Sequence, residues 1–207
     1  IANLVLGGCG TISNLNRQFA ITDGFSAVLP PVGSSVMVWS DNSIAGGAAV
    51  TWLQRRGLRI VDRSVIESEF QKIGRRITGT SEDEAVVMEI AKELGVESVV
   101  FVEGSVTSST FRESSSSLGA TETTAGGRSS SSSGTLNTTS VTMRSVDMED
   151  GTVLWSGNAR YPRSSSSAPA DGLVNLTCQA LATAWGYRPP GDLQIRSLDM
   201  CNIEGRR

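Results

Sequence analysis

Val99-Val100-Phe101-Val102 sets the strongest constraint on the fold. Side chains of a strand alternate between its faces, so four large apolar residues in a row need cover on both sides. A sheet layered between helices provides that cover. The surrounding segments supply the layers. Ser43–Arg56 carries Ile44, Ala45, Ala48, Ala49, Trp52 and Leu53 on one helical face, and Gly57 follows where a helix can end without a Cβ penalty. Ser64 with Glu67, and Ser81 with Glu84, read as capping boxes. The first opens a helix with Ile66, Phe70 and Ile73 facing inward. The second opens one with Val87, Ile90, Ala91 and Leu94, closed by Gly95.

Strands fill the intervals. Phe25–Val32, ending at Pro30-Pro31, reads as a buried strand, whereas residues 10–24 read as a spacer. Gly33–Trp39 fits more than one state, and Leu58–Asp62 reads as a short strand. Val141–Asp147 and Thr152–Tyr161 flank Glu149-Asp150-Gly151 as a hairpin. A last helix is expected near Asp171–Trp185, with Leu173, Val174, Thr177, Leu181, Ala184 and Trp185 buried, stopped at Gly186 and kept from resuming by Pro189-Pro190. The order strand, helix, strand, helix, helix, strand defines an α/β class.

Between Thr107 and Ser140 the chain turns to Ser, Thr and Gly, with serine runs at Ser114–Ser117 and Ser129–Ser133. So polar a stretch buries too little apolar surface to offset its ordering entropy. It is expected to be a contact arm that orders on binding.

Composition narrows the chemistry. The 207 residues have a formal net charge of -3, so no basic field exists to hold nucleic acid. Histidine is absent, which removes the commonest general base, the commonest metal ligand and the usual serine triad. Neither Gly7-Gly8-Cys9-Gly10 nor Gly46-Gly47 leads into Gly-Lys-Ser/Thr, so a phosphate loop is unsupported. Asp23, Asp41 and Asp62 lie near strand ends, where turn and capping chemistry accounts for them. Glu82, Asp83 and Glu84 suit the positive end of a helix. Arg55, Arg56, Arg59 and Arg63 cluster around the first helix–strand corner. They fit either a solvated face or contact with an anionic surface, such as phospholipid heads or an acidic partner. The expectation is a non-enzymatic protein without cofactor or metal.

The N-terminus supplies an address. Leu4-Val5-Leu6-Gly7-Gly8-Cys9 resembles the bacterial lipobox, the alternative being an apolar strand that contains a cysteine. The resemblance implies residues 1–8 as the end of a signal peptide, a covalent diacylglycerol thioether on Cys9, and a spacer over 9–24. Gly10, in place of Asp, implies the outer membrane in that sorting pattern. In an exported chain Cys178 and Cys201 are candidates for a disulfide or for two buried thiols. A bridge would close a loop of roughly two dozen residues, worth about 3 kcal/mol in the chain-entropy model.

A longer resemblance runs over residues 25–185. Ala27-Val28-Leu29-Pro30-Pro31 resembles a first strand, and Leu53 through Ile66 resembles a helix–strand–helix corner. Ile73-Gly74, Ala91-Lys92-Glu93-Leu94-Gly95-Val96, Val102-Glu103-Gly104-Ser105-Val106, Val141-Thr142-Met143-Arg144 and Asp150 to Ser156 continue it. Together they are similar to the curli-secretion lipoprotein (CsgG-like) family, whose superfamily includes lipoprotein activators of penicillin-binding proteins. That resemblance implies a CsgG-like, TolB N-terminal-like domain: a mixed sheet flanked by helices, with residues 107–140 as a long polar inserted arm and 186–207 as a tail. It also implies a non-enzymatic subunit at the periplasmic face of the outer membrane, with protein partners or further copies of itself. The channel-forming member places membrane hairpins at the positions of 107–140 and 157–172. A barrel strand needs about 9–11 residues with every second one apolar. Thr107–Ala120 offers Phe111, Leu118 and Ala120, and Arg128–Ser140 offers only Leu136 as a large apolar residue. An assembly or scaffold subunit is therefore the first expectation, and a homo-oligomeric export channel the second.

Overall fold

The computed structural model describes residues 20–74, 83–116, 129–161 and 169–187. Of 111–116, 129–137 and 169–171 it describes the backbone. One mixed sheet runs in the order β1-β6-β5-β4-β2-β3. Its strands are β1 (Ile21–Ser26), β2 (Ser35–Ser40), β3 (Arg59–Ile60), β4 (Ser98–Ser116), β5 (Ser129–Asp147) and β6 (Val153–Arg160). The helices are α1 (Ser43–Arg55), α2 (Arg63–Lys72), α3 (Glu84–Glu93) and α4 (Pro169–Ala184). β2 is parallel to β3 and β4, and the other pairs are antiparallel. This is the expected α/β class.

The apolar run on β4 divides between two cores. Val100 and Val102 face α1 and α4, with Trp52, Leu53, Met143, Trp155 and Leu181. Val99 and Phe101 face α2 and α3, with Met37, Trp39, Ile66, Phe70, Val87 and Ile90. Trp39 stacks on Phe70 at 5.1 Å, which fixes α2 to the sheet. On the other side Trp52 and Trp185 meet edge to face at 5.0 Å, joining α1 to the end of α4. α4 lies very close to the sheet because Gly24 and Gly157, directly paired across β1 and β6, face it without side chains.

Several elements depart from expectation. Ala27–Val32 is not a buried strand. β1 takes the end of the expected spacer, residues 21–24, and only Phe25 and Ser26 of the expected strand, and Val28 and Val32 are 56% and 83% exposed. An apolar run signals burial only where a sheet partner receives it: Ala27 and Val28 N–H still reach Leu154 O of β6, and among the described residues no strand pairs with Leu29–Val32. The segment Gly33–Trp39 resolves as β2, the central parallel strand. Asp62, not Ser64, caps α2, its carboxylate accepting from Ser64 N–H at 2.8 Å. Ile73 is half exposed because the helix has ended at Lys72. Asp83 precedes α3 without a side-chain cap, and Ser81 lies outside the described residues.

The largest correction concerns the polar arm. β4 and β5 pair without interruption from Ser98↔Asp147 to Ser116↔Ser129. The expectation weighed only side-chain burial. The apolar segments Val99–Val102 and Val141–Val146 already hold the two strands in register, so each further pair adds ladder hydrogen bonds without a new loop closure. Threonine, frequent here, also favours extended backbone.

Candidate assembly surface

β2 stops pairing with β4 at Ser40↔Val102, and β6 stops pairing with β5 at Arg160↔Ser140. Beyond those points the described sheet narrows to a two-stranded ribbon that runs to Ser116 and Ser129. At ~3.3 Å per residue it reaches roughly 45 Å past the last β2 pair.

The ribbon is clamped at its base. The Asp41 carboxylate accepts Gly104 N–H at 3.0 Å. A Cβ on Gly104 would lie 2.9 Å from Asn42 Cβ and 3.1 Å from Ala45 Cβ, so glycine lets the start of α1 close on β4. Asn42 caps α1, accepting from Ile44 and Ala45 N–H at 3.0 and 3.2 Å. On β5, Thr139 O accepts Tyr161 N–H at 3.2 Å. The Tyr161 hydroxyl accepts from Asn175 Nδ2 at 2.7 Å, which ties the same region to α4.

The expected residues are distributed as follows. Cys9 and Cys201 lie outside the described residues. Cys178 is fully buried on α4 and is disulfide-bonded. The four arginines have different surroundings. Arg55 is exposed. Arg56 stacks on Trp52 at 4.8 Å and Tyr187 at 4.2 Å and donates to the Tyr187 hydroxyl at 3.1 Å. Arg59 Nε donates to Gly33 O at 2.7 Å, and Arg63 pairs with Glu67 at 2.7 Å. Asp62 caps α2, whereas Asp23 lies within β1 and its carboxylate accepts the N–H of the next residue, Gly24. The Ser64 hydroxyl and then its N–H hold the Asp62 carboxyl below its ordinary range. Glu97 is lowered by the Ser34 hydroxyl first and the Ser35 N–H second. Among the described residues no group of His, Cys, Asp or Glu is arranged to hold a metal ion, and no helix is long and apolar enough to cross a membrane.

Sequence reasoning missed Arg144. It lies on β5, pairs with Glu84 of α3 at 2.6 Å, and spreads over the Phe101 ring at 4.8 Å. Its register partner is Phe101, so a strand arginine facing an apolar neighbour was the available signal. Also unanticipated is a groove of about 290 Å³ between α1 and α2, where Val38, Ile60 and Ile66 are among the lining residues. β2 and β3 are neighbours, yet the helices that follow them lie on opposite faces, and such a reversal opens a crevice at strand carboxyl ends.

No family model matches the chain. No curated protein matches it either. Solved structures give low-identity likenesses. The PelC dodecamer from Paraburkholderia phytofirmans is 14% identical over 80% of this chain and 96% of that one, with a TM-score of 0.44. Lipoprotein GNA1162 from Neisseria meningitidis is 21% identical over 72% and 95%, with a TM-score of 0.42. The LpoB C-terminal domain from Salmonella enterica is 16% identical over 63% and 84%, with a TM-score of 0.41.

Proposed function

We propose that this chain is a non-enzymatic assembly subunit of a bacterial envelope complex, using the β4–β5 ribbon to join further copies or protein partners. The observation that carries the reading is the ribbon's extent beyond both β2 and β6. A lone two-stranded ribbon is marginal in water, and its outer edges present peptide groups suited to another strand. From Thr110 to Ser116 and from Ser129 to Leu136 no third strand among the described residues pairs with those edges, and they suit strands of a neighbour. The reading keeps the CsgG-like resemblance, lipid attachment at Cys9 and a site on the periplasmic face of the outer membrane. Cys201 is the proposed partner of Cys178, since a lipidated Cys9 has no free thiol.

The test is to join Thr107 to Thr138 through Asn-Gly, excising the ribbon at a paired position while keeping Val106 and Thr139. The shortened protein should keep its thermal transition and lose its assembly by mass photometry after mild detergent extraction. Unchanged assembly would refute the ribbon's role. Cys9→Ser should move the protein from the membrane to the soluble fraction, and retention in the membrane would refute the anchor.

One observation favours a homo-oligomeric export channel as the second reading: the strands are long enough to cross a bilayer. Composition weighs against it. Alternate positions 107 to 115 carry Thr, Ser, Phe, Glu and Ser, and positions 106 to 116 carry Val, Ser, Thr, Arg, Ser and Ser. Neither set makes an apolar band. Ion conductance from the purified protein in planar bilayers would reverse the ranking.

A further inference from the structure

We propose that the groove between α1 and α2 takes up an extended peptide segment of a partner protein as an added strand along β2. The slot exists because β3 is short. It pairs with β2 only at Ser35↔Arg59 and Val36↔Ile60, and the chain then turns into α2. Backbone direction on β2 follows from its bonds. Ser34 O accepts Arg59 N–H at 2.9 Å and Val36 O accepts Val61 N–H at 3.0 Å, whereas Ser35 O accepts Glu97 N–H of the β4 side at 2.9 Å. Even-numbered residues therefore address the β3 side. Val38, next in that series, directs its N–H and C=O to where β3 has left the sheet, and it lines the groove.

Those two peptide groups select the occupant's chemistry. A hydrocarbon chain could fill the apolar walls, Val50 and Ile66, but would leave the Val38 amide unsatisfied. A peptide strand satisfies both, giving affinity through main-chain bonds and selectivity through the pocket. The volume of about 290 Å³ is at the lower limit of small-molecule sites and suits one or two aliphatic side chains. Charge adds a preference. The rim carries Asp62 and Glu67 against Arg63, which already pairs with Glu67. A segment with alternating Val and a flanking Lys complements it.

Gly47 makes the test clean. It lines the groove, and a Cβ there would meet nothing within 4 Å. Gly47→Trp thus fills the slot from an exposed helix position without displacing the core. The probe is the synthetic peptide acetyl-Lys-Val-Thr-Val-Thr-Lys-amide, titrated into the full chain while amide hydrogen exchange is followed by NMR. Saturating peptide should slow exchange of Val38 about tenfold or more. The protection should vanish in Gly47→Trp and with a peptide N-methylated at alternate residues. Unchanged Val38 exchange would overturn the proposal. So would protection confined to β1 or the ribbon, or protection that persists in Gly47→Trp. Val38 already protected in the free protein would also overturn it, since the slot would then be filled from within the chain.

Discussion

The same substitution, glycine to alanine, should have opposite effects at Gly157 and Gly47. On β6, a Cβ at Gly157 would sit 2.5 Å from the Ala180 carbonyl oxygen and 3.0 Å from its carbon. Both are backbone atoms of α4, so no side chain can swing aside. The helix must move outward by about an ångström, or β6 must flatten. Either loosens the core cluster that holds Leu176, Leu181, Ala184 and Trp155, all within 2% of full burial. Overpacking of this kind costs about 1–3 kcal/mol, and the backbone obstruction sets the expectation at about 2–3 kcal/mol. For a chain of this size that lowers Tm by roughly 4–12 °C. Gly47 lies in the exposed interior of α1, where alanine recovers up to about 1 kcal/mol of helix propensity. Differential scanning calorimetry of both variants checks the pair. A Gly157→Ala transition within a degree or two of wild type would refute the close approach of α4, and a destabilised Gly47→Ala would refute the open groove wall.

Other consequences are as direct. Arg56→Ala should cost about 1–2 kcal/mol by urea unfolding through loss of stacking on Trp52 and Tyr187, and Arg56→Lys should recover less than half, because an ammonium lacks the planar face. Arg144→Ala should cost about 0.5–1 kcal/mol, discounted because Arg144 and Glu84 are each about a third exposed, and high salt should narrow the difference from wild type. Glu97 should titrate below its ordinary value of 4.5 when followed by carboxyl NMR, and Ser34→Ala should raise it; an unchanged midpoint would exclude the hydroxyl as the main cause. Since its folded pKa is the lower one, its contribution to stability is present above the ordinary carboxylate range and is lost as pH falls through the folded value.

Legibility differed between elements for physical reasons. Helices α1, α3 and α4 were readable because each carries its own apolar stripe and a stop at Gly57, Gly95 or Gly186, all with positive φ. The β5–β6 hairpin was readable from alternation and the Gly151 turn. β1 was not, because an edge strand with exposed Ile21 and Phe25 has no alternation to distinguish it from a spacer. The candidate arginine surface looked continuous in sequence, yet Arg56, Arg59 and Arg63 take three separate partners.

Residues 99–102 by themselves required helices on both faces of a sheet, since each carries an apolar side chain whichever way it points. The lack of histidine likewise fixed at sequence level that any acid–base role in these residues would fall to other side chains. Tertiary structure alone decided that residues 107–116 and 129–140 of the serine- and threonine-rich arm form a ribbon, because their order comes from backbone pairing with a strand already held in register. It also decided where β3 stops and thereby opened the groove, a matter of which peptide groups find a neighbour, and side-chain patterning does not encode that directly.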